Sequence, residues 1–123
     1  SDVVVLRYAD VLLMLAETEN ETKDTIGAAK HLNEIRTRAA LAATTAVTQV
    51  ELTKAIELER RLELVGEGHR WFDLLRTGMA LTTMNAWFAA NGINITINKD
   101  KLVMPVPQNQ IDTDPTIRQN DNY

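Results

Sequence analysis

Apolar residues recur at steps of three and four along most of residues 3 to 90, and a chain patterned this way buries its apolar surface as amphipathic helices. From Val3 to about Asn20, the positions Val5, Tyr8, Ala9, Leu12, Leu13, Leu15 and Ala16 describe one helix with a broad buried face. The polar residues 20–25 interrupt it, and Asp24 or Thr25 can N-cap a second helix carrying Ile26, Ala29, Leu32, Ile35 and Ala39 on one face. So short a connection implies an antiparallel pair. Thr48-Gln49-Val50-Glu51 has the form of a capping box, in which hydroxyl and carboxylate each satisfy a backbone N–H, so residues 41–47 read as a loop and a third helix begins there. That helix runs through Leu52, Ile56, Leu58, Leu62 and Val65 to Gly66 and Gly68, each of which lowers helical propensity by about 1 kcal/mol relative to alanine. Two short helices follow, one through Trp71, Phe72, Leu74 and Leu75, the other from Met79 to Phe88, with stops at Thr77-Gly78 and Asn91-Gly92.

After Gly92 the period changes to two, because Ile93, Ile95 and Ile97 alternate with polar residues before Lys99-Asp100-Lys101 leads into Leu102-Val103-Met104. This predicts a short edge hairpin. All three prolines lie at or beyond Pro105, which predicts an extended tail lying over the helices with at most one helical turn near residues 108–111. The expected fold is all-α: tetratricopeptide-like antiparallel helix pairs with a short β-hairpin and an extended Pro-containing C-terminal tail, one unit over residues 1–123. No strict 34-residue repeat is visible.

Several functions find no support. No stretch approaches the ~18 apolar residues of a spanning helix. Lys and Arg number 13 against 17 Asp and Glu, and the basic residues are scattered or paired, so nucleic-acid binding is not expected. Cysteine is absent, which removes disulfides, thiolate metal sites and a Cys nucleophile. His31 with Glu34, and His69 with Asp73, lie one turn apart, but neither a repeated Glu-x-x-His set nor His-Glu-x-x-His occurs, so no metal or other cofactor is expected. A nucleophile elbow, a phosphate-binding loop and a dinucleotide fingerprint are likewise missing. The chain is not expected to be an enzyme.

The most unusual segment is a mixed-charge stripe of Glu59, Arg60, Glu63, Glu67, Arg70 and Asp73. Paired carboxylates or a guanidinium clamp would be the functional reading. Every acid has a basic neighbour within a turn, however, as in Glu57 with Arg61, Arg60 with Glu63 and Arg70 with Asp73, which favours a structural role fastening consecutive helices. Aromatic residues are only 5% of the chain, and sugar-binding sites need exposed rings beside amide or charged side chains. Trp87 is the one candidate ligand-binding residue: followed by Asn91, Asn94 and Asn98, it offers either a stacking platform or a core contact beside Met84 and Phe88.

Four blocks resemble the C-terminal region of the SusD/RagB family. They are residues 6–17 (LRYADVLLMLAE), residues 32–39 (LNEIRTRA), residues 56–64 with 67–74 (IELERRLEL, then EGHRWFDL), and residues 104–120 from Met-Pro-Val-Pro-Gln to Gln-Asn. Ala40 stands where the family usually has glycine, Asn120-Asp121-Asn122-Tyr123 replaces the usual Asn-Pro-Gly-Tyr ending, and the segment between Gly78 and Met104 is short. The resemblance implies part of a longer, non-enzymatic outer-membrane lipoprotein, exposed at the cell surface, that binds glycan or another nutrient and partners a TonB-dependent transporter. Signal, lipidated Cys and much of the ligand-facing surface are then expected upstream, since residues 1–6 show no export signal. The competing expectation is a stand-alone tetratricopeptide-like module that binds a protein segment.

Overall fold

A computed structural model of the chain describes residues 6–123. Its regular structure there is entirely helical: α1 (Tyr8–Glu21), α2 (Thr25–Arg38), α3 (Gln49–Glu63), α4 (His69–Arg76), α5 (Ala80–Ala90), a 3-10 turn (Lys99–Leu102) and α6 (Gln108–Thr113). The chain forms two compact units, one through Arg70 and one from Trp71 to Tyr123, with the border inside α4.

In the first unit α1 packs against both α2 and α3. Leu13, Ala16, Ala28, Leu32 and Leu52 are wholly buried, and Leu12, Ile35 and Ile56 nearly so; they form one cluster. Each buried leucine or isoleucine stabilises such a core by about 1.5–3 kcal/mol. Asp10 near the start of α1 pairs with Arg60 near the end of α3, while Asn20 at the other end of α1 donates to the Gln49 carbonyl and the Thr53 hydroxyl, so α1 and α3 are antiparallel. The first helix begins at Tyr8 rather than at Val3; Arg7 is extended, and the predicted turn over Val3 to Val5 lies outside the described residues.

The expected caps are present. Asp24 accepts from the Gly27 N–H, and Thr48 and Glu51 close a reciprocal capping box. Four helices end alike. At each, the residue two past the last helical one takes a positive φ, and two backbone N–H groups fold back onto orphan carbonyls in a Schellman arrangement. The positive-φ residues are Lys23, Ala40, Gly78 and Gly92. At α2 the bonds are Leu41 N–H to Arg36 O, 2.8 Å, and Ala40 N–H to Thr37 O, 3.0 Å.

The second unit departs from expectation. Among the described residues there is no strand, so the predicted hairpin is absent. Ile97 directs both backbone groups to one side chain: its N–H donates to Asn85 Oδ1 at 2.8 Å, and its carbonyl accepts from Asn85 Nδ2 at 2.9 Å. Asn98 then accepts from the Asp100 N–H and starts a 3-10 turn over the residues expected to connect the two strands. The tail is not simply extended either. Beyond α6, Gln119 pairs with both backbone groups of Val106, Asn120 donates to the Met104 carbonyl, and the Tyr123 hydroxyl donates to the Val103 carbonyl. Lys101 sits 3.7 Å from the Tyr123 ring centre, a cation–π contact. Carboxamide side chains thus supply the hydrogen bonds that a neighbouring strand would have made.

Candidate functional site

Three features bear on function, and the charged stripe is the most developed. Arg7, on the extended residue before α1, clamps Glu67 with a two-pronged fork (Nε–Oε2 2.9 Å, Nη2–Oε1 2.7 Å) and also reaches the Glu63 carboxylate at 3.0 Å. Arg38 of α2 shares the same Glu63 oxygen. Arg36 donates to Glu59 at 2.7 Å and to the Ala42 carbonyl at 2.8 Å, which ties the loop after α2 to the bundle. Deepest of all, Arg60 donates to Asp10 at 2.8 Å with both groups buried.

Hydrogen bonds to Glu67 and then Glu63 raise the Arg7 guanidinium further above its ordinary range, and its bond in turn holds the Glu67 carboxyl below its own. The stripe's partners therefore differ from those read in the sequence. Arg60 meets Asp10 instead of being matched with Glu63, Asp73 pairs with Arg76 in place of Arg70, and Glu57, Arg61 and Arg70 enter no ion pair among the described residues. For Glu59 and Arg60 the physical reason is burial, whereas Asp73 and Arg76 remain a pair one turn apart on α4. A pair one turn apart on a wet helix surface gains little, whereas the buried Glu59 and Arg60 must find a partner inside the bundle, on the facing helix. The partners missed in the sequence, Arg7, Asp10, Arg36 and Arg38, are four of the six charged residues of the first two resemblance blocks, which was the available signal.

His31 likewise pairs away from Glu34: its Nδ1 lies 2.7 Å from Glu19 on α1. Among the described residues no three His, Asp or Glu side chains gather as a metal site would need, and no helix is long and apolar enough to cross a membrane.

The second feature is a cavity of about 360 Å³ between α1 and α2. Ala9, Leu12 and Ile35 supply apolar wall, with Arg7, Tyr8, Glu34 and Arg38 around them. Ligand pockets commonly start near this volume.

The third is Trp87 on α5, which is 51% exposed and meets Phe88 edge-on at 5.5 Å between ring centres. Asn91 donates back to the Trp87 carbonyl, closing the helix, and Asn98 is taken by the 3-10 turn, so of the three asparagines noted in sequence Asn94 alone keeps an exposed side chain outside these turn bonds.

The sequence profile of the SusD family matches residues 1–123. SusD-like protein P38 of Formosa agariphila is 32% identical over the whole of this chain and 25% of its own length, and SusD-like protein P25 of the same organism is 32% identical over 96% of this chain and 23% of its own. A SusD superfamily protein from Bacteroides vulgatus superposes with a TM-score of 0.80 at 29% identity, over 97% of this chain and 27% of that one. A SusD homologue from Bacteroides thetaiotaomicron gives a TM-score of 0.80 at 29% identity, over 96% and 26%. The chain thus spans about a quarter of the length of the curated relatives it matches.

Proposed function

Because this chain belongs to the SusD family, we propose that it is the helical C-terminal part of a non-enzymatic protein that binds glycan or a comparable nutrient at the bacterial outer membrane and works with a TonB-dependent transporter. The family match across the full chain is the observation that supports this reading. A lipid anchor outside these residues attaches the protein to the cell surface. The stripe serves as scaffold: Glu59, Arg60, Glu63 and Glu67 have their charges occupied by Arg36, Asp10, Arg7 and Arg38, and Asp73 by Arg76. Trp87 is the ligand contact within this chain, because a half-exposed ring held edge-on by Phe88 presents a face to the apolar side of a pyranose. Exposed Asn94 offers both a donor and acceptor for hydroxyls.

Titration calorimetry of the whole polypeptide against α-glucan, β-glucan, xylan and mannan oligosaccharides is expected to give binding to at least one class. Trp87→Ala should weaken that binding roughly tenfold, the ~1.4 kcal/mol of a modest hot spot, with near-native melting. No binding across the set, together with failure to co-purify with the transporter, sinks the proposal. Lost stability without lost affinity would instead return Trp87 to a packing role.

A further inference from the structure

Asparagine is followed by glycine once in the chain, at Asn91-Gly92, and the pair carries its own chemistry. The carboxamide carbon of an asparagine is an electrophile, and the backbone nitrogen of the next residue can attack it where no side chain on that residue stands in the way. Glycine has none, and it reaches the backbone conformations that closing the five-membered ring demands. Every other asparagine precedes a residue with a side chain, as in Asn85-Ala86, Asn94-Ile95 and Asn98-Lys99. The end of α5 holds the reacting groups of Asn91 and Gly92 away from this step. At Asn91 ψ is 10°, so the Gly92 nitrogen is nearly eclipsed with Asn91's own nitrogen, whereas ring closure needs it swung round toward Cβ. The Gly92 N–H, which must lose its proton before the nitrogen attacks, donates to the Ala89 carbonyl at 3.2 Å. The leaving group is occupied as well, since Asn91 Nδ2 donates to the Trp87 carbonyl at 2.8 Å. Gly92, with its positive φ, and the Ile93 N–H, bonded to the Phe88 carbonyl at 2.9 Å, complete the Schellman end that fixes all three. Asn91 and Gly92 are nevertheless both exposed, and helix ends open far more readily than helix interiors.

We propose that Asn91 is a site of spontaneous covalent modification, gated by the C-terminal end of α5. When that end opens, hydroxide takes the Gly92 amide proton, the nitrogen forms a bond to Asn91 Cγ, and the Cγ–Nδ2 bond breaks with loss of ammonia. Water then opens the resulting succinimide at one carbonyl or the other, giving aspartate, or isoaspartate in which the main chain runs through Cβ. One water enters and one ammonia leaves, and no oxidant or enzyme is needed. Both products close the helix less well. Neither has the Nδ2 donor for the Trp87 carbonyl, and each places a negative charge at the negative end of the helix dipole. Isoaspartate also lengthens the main chain by one carbon inside the Schellman turn. This chemistry is independent of the ligand reading above.

The whole polypeptide is incubated in mildly alkaline buffer with and without guanidinium chloride. Trypsin releases residues 77–99 as one peptide, in which fragmentation by mass spectrometry locates the amide-to-acid exchange and an isoaspartyl methyltransferase labels the rerouted product. In denaturant Asn91 is expected to convert before any other asparagine of that peptide, faster as pH rises, with isoaspartate among the products. The native protein should convert about tenfold more slowly, or slower still. Ala89→Gly, at an exposed position in the last turn of α5, weakens the helix end without touching Asn91 or Gly92, so it should raise the native rate severalfold and leave the denatured rate unchanged. No conversion of Asn91 in denaturant, or another asparagine of the peptide converting first, overturns the site. Equal native and denatured rates, or a native rate that Ala89→Gly leaves unchanged, overturn the gate.

Discussion

At Ala40 the backbone enters the left-handed region, φ 56°, to complete the Schellman end of α2. A Cβ in that region costs about 1–2 kcal/mol, which glycine avoids, whereas glycine loses about 0.4–1 kcal/mol through its freer unfolded chain. The balance predicts that Ala40→Gly stabilises the protein by about 0.5–1 kcal/mol, seen as a rise of a few degrees in melting temperature. The same position was visible in the sequence as a departure from a family glycine, but the φ that makes it matter was not. Asp10 and Arg60 are the opposite case, since nothing along the chain says that residues fifty apart share a buried hydrogen bond. Asp10→Asn is expected to cost about 1.5–3 kcal/mol by weakening the buried, charge-assisted hydrogen bond between Asp10 and Arg60. Chemical denaturation should show that loss, and Arg70→Glu, which breaks no ion pair among the described residues, should change stability by no more than about 0.5 kcal/mol.

The helices were legible because their signals are local: a three-and-four period, an Asp or Thr at the start, a glycine or its substitute after the end. The capping box of α3 shows how far such a signal carries. The backbone N–H groups of Thr48 and Val47 hold the Glu51 carboxyl below its ordinary range. A carboxyl lowered in the folded state binds its proton more readily when unfolded. Its contribution is therefore full above the unfolded value, about 4.3, and is lost as pH falls through the lowered folded value. Glu51→Gln should accordingly lower the melting temperature at pH 7 and lose that effect in acid, once the carboxyl is protonated in both states, while Thr48→Ala should cost about 1 kcal/mol at neutral pH. The hairpin failed for the converse reason. Alternating isoleucines report that a segment is extended, but whether a strand or a side chain satisfies its backbone depends on Asn85, twelve residues earlier on a helix whose pattern gave no hint of it.

The two units are held by different means: the first by an apolar cluster laced with interhelical ion pairs, the second largely by carboxamides bonded to backbone, with Leu74 and Ala80 its only well-buried apolar residues. The sequence showed the first plainly, because burial and charge leave a periodic trace, and showed little of the second, because asparagine and glutamine bonds leave none. The Asn85 contact also carries an expectation about self-association. Ile93, Ile95 and Ile97, separated only by uncharged Asn94 and Thr96, have the composition of a segment that recruits identical segments into stacked sheets. Asn85→Ala is expected to leave the Ile97 N–H and carbonyl open and to raise light scattering and dye-detected fibril formation on incubation, while far-ultraviolet circular dichroism stays helical. A strand completed by another strand passes its hydrogen-bonding pattern on to whatever comes next, whereas one completed by a side chain has nothing further to offer. Ile97 is finished in the second way, and the sticky segment ends as a dead end for growth.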